Sequence, residues 1–185
     1  MPRSELEALL AWVEAWLEGT PPANVWIGAT VVNQEEADRD IPKLLAVPAA
    51  KRFLSMEPLL GPVDVTPFLW GKHETVDDVC QNCPRDADCE CGYHTRTALK
   101  LPALHWVIVG GESGNGARPL NVAWVRRVVE QCREQRVPVF VKQLGRRPTM
   151  ESGLVPLRLN HRKGADPSEW PEDLRAQQFP EVRHA

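Results

Sequence analysis

At 185 residues and 20.8 kDa the chain is long enough for one domain with its own hydrophobic core. A formal net charge of −3 and a pI near 6.0 exclude any global electrostatic pull toward nucleic acid or anionic membrane. No apolar run is long enough to cross a bilayer and the N-terminus lacks a basic-then-apolar signal pattern, so a soluble, cytoplasmic protein with no membrane partner is expected.

Ser4 can cap a first helix, with Glu7 as its capping-box partner. Leu6, Leu9, Leu10, Val13 and Leu17 then recur at helical spacing, Trp12 and Trp16 widen the apolar face, and Gly19 with Pro21-Pro22 ends the helix. Its polar face is acidic, which favours a crossover helix lying on a sheet over a membrane-surface helix. Val25–Val31 (VWIGATV) reads as a first strand. Asn33 caps the next helix, with Glu36 in capping-box position, and Pro42 is expected to kink or restart it before Val47. Lys51–Met56 (KRFLSM) is a second strand, ended by Glu57-Pro58.

A third strand, Leu104–Val109, is apolar and β-branched and reads as buried on both faces. Gly110 and Gly111 stop it and free the backbone for a close approach. Asn121 caps a helix running to Arg136, in which Val125, Val128, Val129 and Cys132 share one face. Val137–Val141 is a fourth strand, closed by Lys142, Gln143 and Gly145. This alternation predicts an α/β fold: four parallel strands with crossover helices, an incomplete (β/α) barrel over residues 1–148. A cysteine-rich insertion, residues 61–102, interrupts it, and a tail, residues 149–185, packs on the body.

Parallel strands place their C-terminal ends on one edge, where α/β proteins gather their ligands. Thr30 and Asn33 follow the first strand, Glu57 the second, Gly110, Gly111, Glu112 and Ser113 the third, Lys142 and Gln143 the fourth. Together they form a candidate small-molecule site, Lys142 meeting a carboxylate and Glu57 or Glu112 an amine. The alternative is that these side chains pair with each other and close the end of the core.

Within the insertion, Cys80, Cys83, Cys89 and Cys91, with His94 just after, offer soft ligands at spacings suited to a tetrahedral zinc site. The C-x-C half is unusual, so His94 can replace Cys89 or Cys91; free thiols or a disulfide are the competing readings. Cys132 reads as core. Arg146, Arg147, Arg158, Arg162 and Lys163 make a locally basic run that fits either a solvated face or phosphate contacts to nucleic acid. Trp170-Pro171 and Phe179-Pro180 read as anchors for the tail.

The blocks NVWIGATVVNQEEAD, RFLSMEPLLGPVD, WVIVGGESGNGARP with VAWVR, VFVKQLG and KGADPSEWPEDLRAQQFP carry a family resemblance. The chain resembles, from Asn24 to Pro180, the C-terminal half of a phage-type family of radical-SAM-like proteins of unknown function with an N-terminal three-cysteine motif. The resemblance implies a partial (β/α) barrel holding an iron–sulfur cluster and S-adenosylmethionine at its C-terminal edge. The family's cluster cysteines belong to an N-terminal block that this sequence does not contain, so the start reads as internal and the chain alone is expected to be inactive in reductive cleavage. Two functions follow: the C-terminal part of such a protein, retaining part of an S-adenosylmethionine-like pocket and completed by another protein chain, or a non-enzymatic zinc-stabilised module that binds protein or nucleic acid. A half-barrel with a bare strand edge is further expected to self-associate.

Overall fold

The computed structural model of the protein describes residues 3–69, 73–76, 97–100, 103–150 and 152–181. In chain order its elements are α1 (Arg3–Leu17), β1 (Trp26–Thr30), α2 (Gln34–Ala46), β2 (Lys51–Met56), α3 (Thr66–Leu69), β3 (His73–Val76), β4 (Thr97–Lys100), β5 (Trp106–Gly110), β6 (Leu120–Asn121), α4 (Val122–Glu134), β7 (Val139–Gln143) and β8 (Pro148–Thr149). Two 3-10 turns, Pro167–Glu169 and Glu172–Leu174, follow.

The β-branched and aromatic runs pair as a four-stranded sheet in the order β1-β2-β5-β7, every pair parallel. The register sets Gly28 beside Phe53, Phe53 beside Trp106, and Ile108 beside Phe140. Burial alternates along β2, β5 and β7: Leu54, Met56, Val107, Val109, Val139 and Val141 are buried, whereas Phe53, Ser55, Trp106, Ile108 and Phe140 are only partly so. The buried set shares one core with Ala37, Ile41 and Leu44 of α2 and Val125, Val128, Val129 and Cys132 of α4. Both helices therefore cover the same face of the sheet. Each fully buried Val or Leu there contributes about 1.5–3 kcal/mol.

The opposite face carries aromatic rings instead. Trp106 lies at its centre, with ring centroids 6.1 Å from Trp26, 6.0 Å from Phe53 and 6.2 Å from Phe140. Phe53 spreads over β1 because Gly28 has no side chain: a Cβ there would sit 2.4 Å from the ring. The expectation that Leu104–Val109 is buried on both faces is thus corrected. A continuous apolar run hides the period of two, and Trp106 and Ile108 face the uncovered side.

Caps set the helix starts. Asn33 Oδ1 accepts from the Glu36 amide at 2.9 Å, and Glu36 Oε2 accepts from the Val32 amide at 3.0 Å. Asn121 Oδ1 accepts from the Ala123 amide at 2.9 Å. Of the kink or restart expected at Pro42, a restart is not found, since α2 runs unbroken through it from Gln34 to Ala46. The β2–β5 excursion is fastened by Gln131, a buried polar residue on α4. Its Oε1 accepts from the Val65 amide at 2.8 Å and its Nε2 donates to the Val63 carbonyl. Farther along, β3 and β4 pair antiparallel, so the cysteine-bearing segment between them leaves and returns at one place.

The tail packs on the body through Trp170 and the edge of β7. Trp170 is buried, with its indole N–H donating to the Gly164 carbonyl at 3.1 Å. The Val141 amide donates to Ala176 O and the Gln178 amide to Val139 O, so the tail runs antiparallel along the outer edge of β7. Phe179 then reaches across to Trp106 and Phe140, at 5.3 and 5.1 Å between centroids.

The first helix departs from expectation. Leu6, Leu9, Leu10, Trp12, Val13 and Leu17 are all exposed, and α1 meets the body where Trp16 Nε1 donates to the Pro48 carbonyl. It does not lie on the sheet as a crossover helix, and its serine is inside the helix rather than at its cap. The sheet face that an apolar stripe would cover is already occupied by α2 and α4.

Candidate functional site

The C-terminal edge of the sheet brings five of the expected residues together. Glu57, one residue past β2, keeps the facing of Phe53 and Ser55 and so stands on the uncovered side. Lys142 does the same on β7, in step with Phe140. Lys142 Nζ lies 3.0 Å from Glu57 Oε2, across the end of β5. The register slips between Val109 and Gly110, so Gln143 also turns inward. Its Nε2 donates to Glu57 Oε1 at 3.3 Å and to the Gly111 carbonyl at 3.0 Å. Glu57 is mostly enclosed, with its side chain 15% exposed, while that of Lys142 is 55% exposed.

Gly110, the last residue of β5, and Gly111 just after it make the pairing possible. A Cβ at Gly110 would lie 2.5 Å from Glu57 Oε1 and one at Gly111 would lie 2.5 Å from the Leu144 carbonyl oxygen. Gly110 thus leaves room for a carboxylate, and Gly111 for the backbone of the neighbouring loop.

The remaining expected residues stand apart from this group. Glu112 binds Arg118, its Oε2 accepting from Nε at 2.9 Å and from the Arg118 amide at 3.0 Å. Those bonds hold its carboxyl below the usual carboxylate range. Ser113 lies in the following loop and Thr30 ends β1 on the uncovered face, exposed. Asn33 is committed to capping α2. Cys80, Cys83, Cys89, Cys91 and His94 lie outside the described residues. Among the described residues no three His, Cys, Asp or Glu side chains gather as a metal site. The single described cysteine, Cys132, is buried in the helical layer, where burial pushes its thiol up to about 12. Iron–sulfur ligands are therefore not found among the described residues.

A model of the family described as a protein of unknown function, DUF5131, matches residues 3–176. The chain belongs to that family. No curated protein and no solved structure matches it. The DUF5131 match runs from α1 into the tail and includes every residue of the edge group.

Sequence reasoning missed the aromatic floor of this DUF5131 site. Phe53, Trp106 and Phe140 occupy alternate positions in three separate strands, and that alternation was visible. Its meaning was not, because nothing local says which face of a strand the helices will cover. Below the floor, Arg133, Arg136, Pro138, Gln178, Phe179 and Glu181 line a shallow cavity of about 450 Å³ at the opposite end of the sheet. It contains none of the edge group.

Proposed function

We propose that this chain is one wall of an incomplete (β/α) barrel, the C-terminal part of a radical-SAM-like protein. In this reading the uncovered aromatic face is the inner wall of the barrel. The observation that carries it is the sidedness of the sheet: sequential parallel strands with α2 and α4 on one face, and rings with a polar strand-end cluster on the other. A doubly wound sheet reverses its strand order and puts helices on both faces, whereas a barrel wall keeps them outside. Another protein chain would supply the missing strands, and β1 has no strand neighbour on its outer side among the described residues. The expected compartment is the cytoplasm.

The edge group suits a zwitterion such as the amino-acid end of S-adenosylmethionine. Glu57 and Lys142 are already a neutral pair, so a ligand ammonium can replace Lys142 at Glu57 while its carboxylate takes Lys142, with no net charge buried. Gln143 orients Glu57 for that exchange. The flat rings of Phe53 and Trp106 can hold the apolar remainder of the ligand. Zinc held by Cys80, Cys83, Cys89 and Cys91, or with His94 in place of Cys89 or Cys91, is proposed as a structural clamp of the insertion, because β3 and β4 pair at its base.

Calorimetric titration of S-adenosylmethionine into the chain, and into Glu57→Gln, tests the pocket. Saturable binding that drops about tenfold in the variant is the expected result, equivalent to about 1.4 kcal/mol. Equal binding to both proteins would remove Glu57 from the site.

A further inference from the structure

We propose that the C-terminal rim of the sheet binds the phosphate backbone of a single-stranded nucleic acid. The rim is built from two segments, 111–120 and 144–164, joined to each other, and the second folded on itself, by backbone hydrogen bonds. Arg146 N donates to Glu112 O at 2.9 Å, Leu120 N to Arg147 O at 3.1 Å, Leu157 N to Pro148 O at 2.9 Å, and Leu144 N to Gly164 O at 2.8 Å. Gly164, with φ of +59°, packs so closely on Gly145 that a Cβ would lie 2.4 Å from its carbonyl oxygen. The backbone that carries the cations of these segments is therefore held in place rather than left as a loose chain.

Those cations are Arg118, Arg146, Arg147, Arg158, Arg162 and Lys163, against Glu112 and Glu151 as the acids of the two segments. A rim this cationic, in a protein of net charge −3, means that the rest of the molecule is acidic. Glu112 is taken by Arg118. Arg146 donates to Asn115 Oδ1 and Arg147 to the Ala117 carbonyl, neutral acceptors that aim the guanidinium groups without cancelling them. Arg158, Arg162 and Lys163 are exposed and form no ion pair among the described residues. The loop that presents the last two is held internally: His161 Nδ1 accepts from the Lys163 and Ala165 amides, and Glu169 Oε2 from the Asn160 and His161 amides.

A second feature points outward from the same rim. Gly114 has no left-handed φ and a Cβ there would touch nothing within 4 Å, so nothing among the described residues requires a glycine at that position. A bare backbone next to Asn115, which accepts from Arg146, suits the close approach of a phosphate.

The chemistry favours a strand over an anionic bilayer. Five of the six cations are arginines, whose planar forks match phosphate oxygens two at a time. Leu154 and Val155 are exposed near the rim, as at a membrane-binding tip. A flat anionic surface would also oppose the acidic remainder of the chain, whereas a strand's phosphates need meet the rim alone. Single-strandedness follows from the neighbourhood: past Lys142 the partly covered rings of Phe140 and Trp106 continue along the same face of the sheet, away from the rim and toward the start of β5, and only unpaired bases can be laid on such rings. The strand would share Lys142 and the Trp106 ring with the proposed S-adenosylmethionine pocket, but the variants below touch no residue of that pocket, so the two readings fail separately.

The test is fluorescence anisotropy of labelled oligothymidine and oligouridine with the full chain over a salt series. Duplex DNA and phosphatidylserine-containing vesicles are run alongside. Binding to the single strands is expected, with log affinity falling linearly in log salt. The triple variant Arg158→Gln, Arg162→Gln, Lys163→Gln should weaken it about tenfold or more and flatten the slope by about 2. Gly114→Val, which alters no charge, should weaken binding with the slope unchanged. No binding to either oligonucleotide, equal or tighter binding to duplex, binding to vesicles alone, or a triple variant with unaltered slope each overturns the proposal. If the triple variant melts early, wild-type binding and Gly114→Val decide it.

Discussion

Glu57 occupies the space that a side chain on Gly110 would fill. The carboxylate oxygen lies 2.5 Å from where that Cβ would be, and the same carboxylate meets Lys142 and Gln143. The edge group therefore depends on a residue that contributes no functional group of its own. Gly110→Ala should push Glu57 off its partners, because a carboxylate end can swing away, and the fold should survive. Gly111→Ala meets the Leu144 carbonyl, which cannot swing, and should cost about 1–3 kcal/mol or more. Urea unfolding of both variants, with the titration described above, checks the contrast. Equal stability losses would show that Gly110 and Gly111 play the same part.

Acid should loosen the tail before it unfolds the sheet. Asp173, in the last 3-10 turn, accepts from Arg126 Nε of α4, and that hydrogen bond lowers its carboxyl below the ordinary 3.8. A depressed folded value means stability fully present above the unfolded value and lost as pH falls through the lower folded one. The Asp173→Asn variant should therefore be less stable than the wild type at neutral pH, and the gap should close in acid, once pH has fallen through the lowered folded value. Thermal melts at neutral and acid pH measure this. A gap that stays constant with pH would mean that packing, not charge, ties the tail to α4.

The thiol of Cys132 should be inert in the folded protein. It is buried in the core and its pKa is pushed up to about 12, so almost no thiolate exists at neutral pH. Iodoacetamide followed by peptide mapping should label Cys132 only after denaturant is added. Labelling under native conditions would mean that α4 opens readily from the sheet.

The insertion should carry metal. Cys80→Ser with Cys83→Ser should abolish zinc in protein purified without chelator and loosen the insertion, while the sheet's circular dichroism persists. Absence of zinc from the wild-type protein in elemental analysis would dispose of the clamp.

Much of this architecture was written in local signals. Asn33 and Asn121 marked helix starts because their side chains satisfy the orphan amides there, and glycines marked strand ends because only they allow the tight exits at Gly110 and Gly111. Glu57, Lys142 and Gln143 could be placed together from strand polarity alone, since parallel strands share an edge. That inference needed no long-range distance.

Other features were decided by the tertiary structure. Which face of each strand the helices cover depends on where α2 and α4 pack, so the aromatic floor of Phe53, Trp106 and Phe140 was not legible from any one segment. The partner of each carboxylate was equally hidden: Glu112 goes to Arg118 and Glu57 to Lys142. The sequence by itself determined the elements, their order and their polar ends, because those follow from backbone sterics and short-range hydrogen bonds. Only the folded chain decided which sides face each other, because burial is a property of several segments at once.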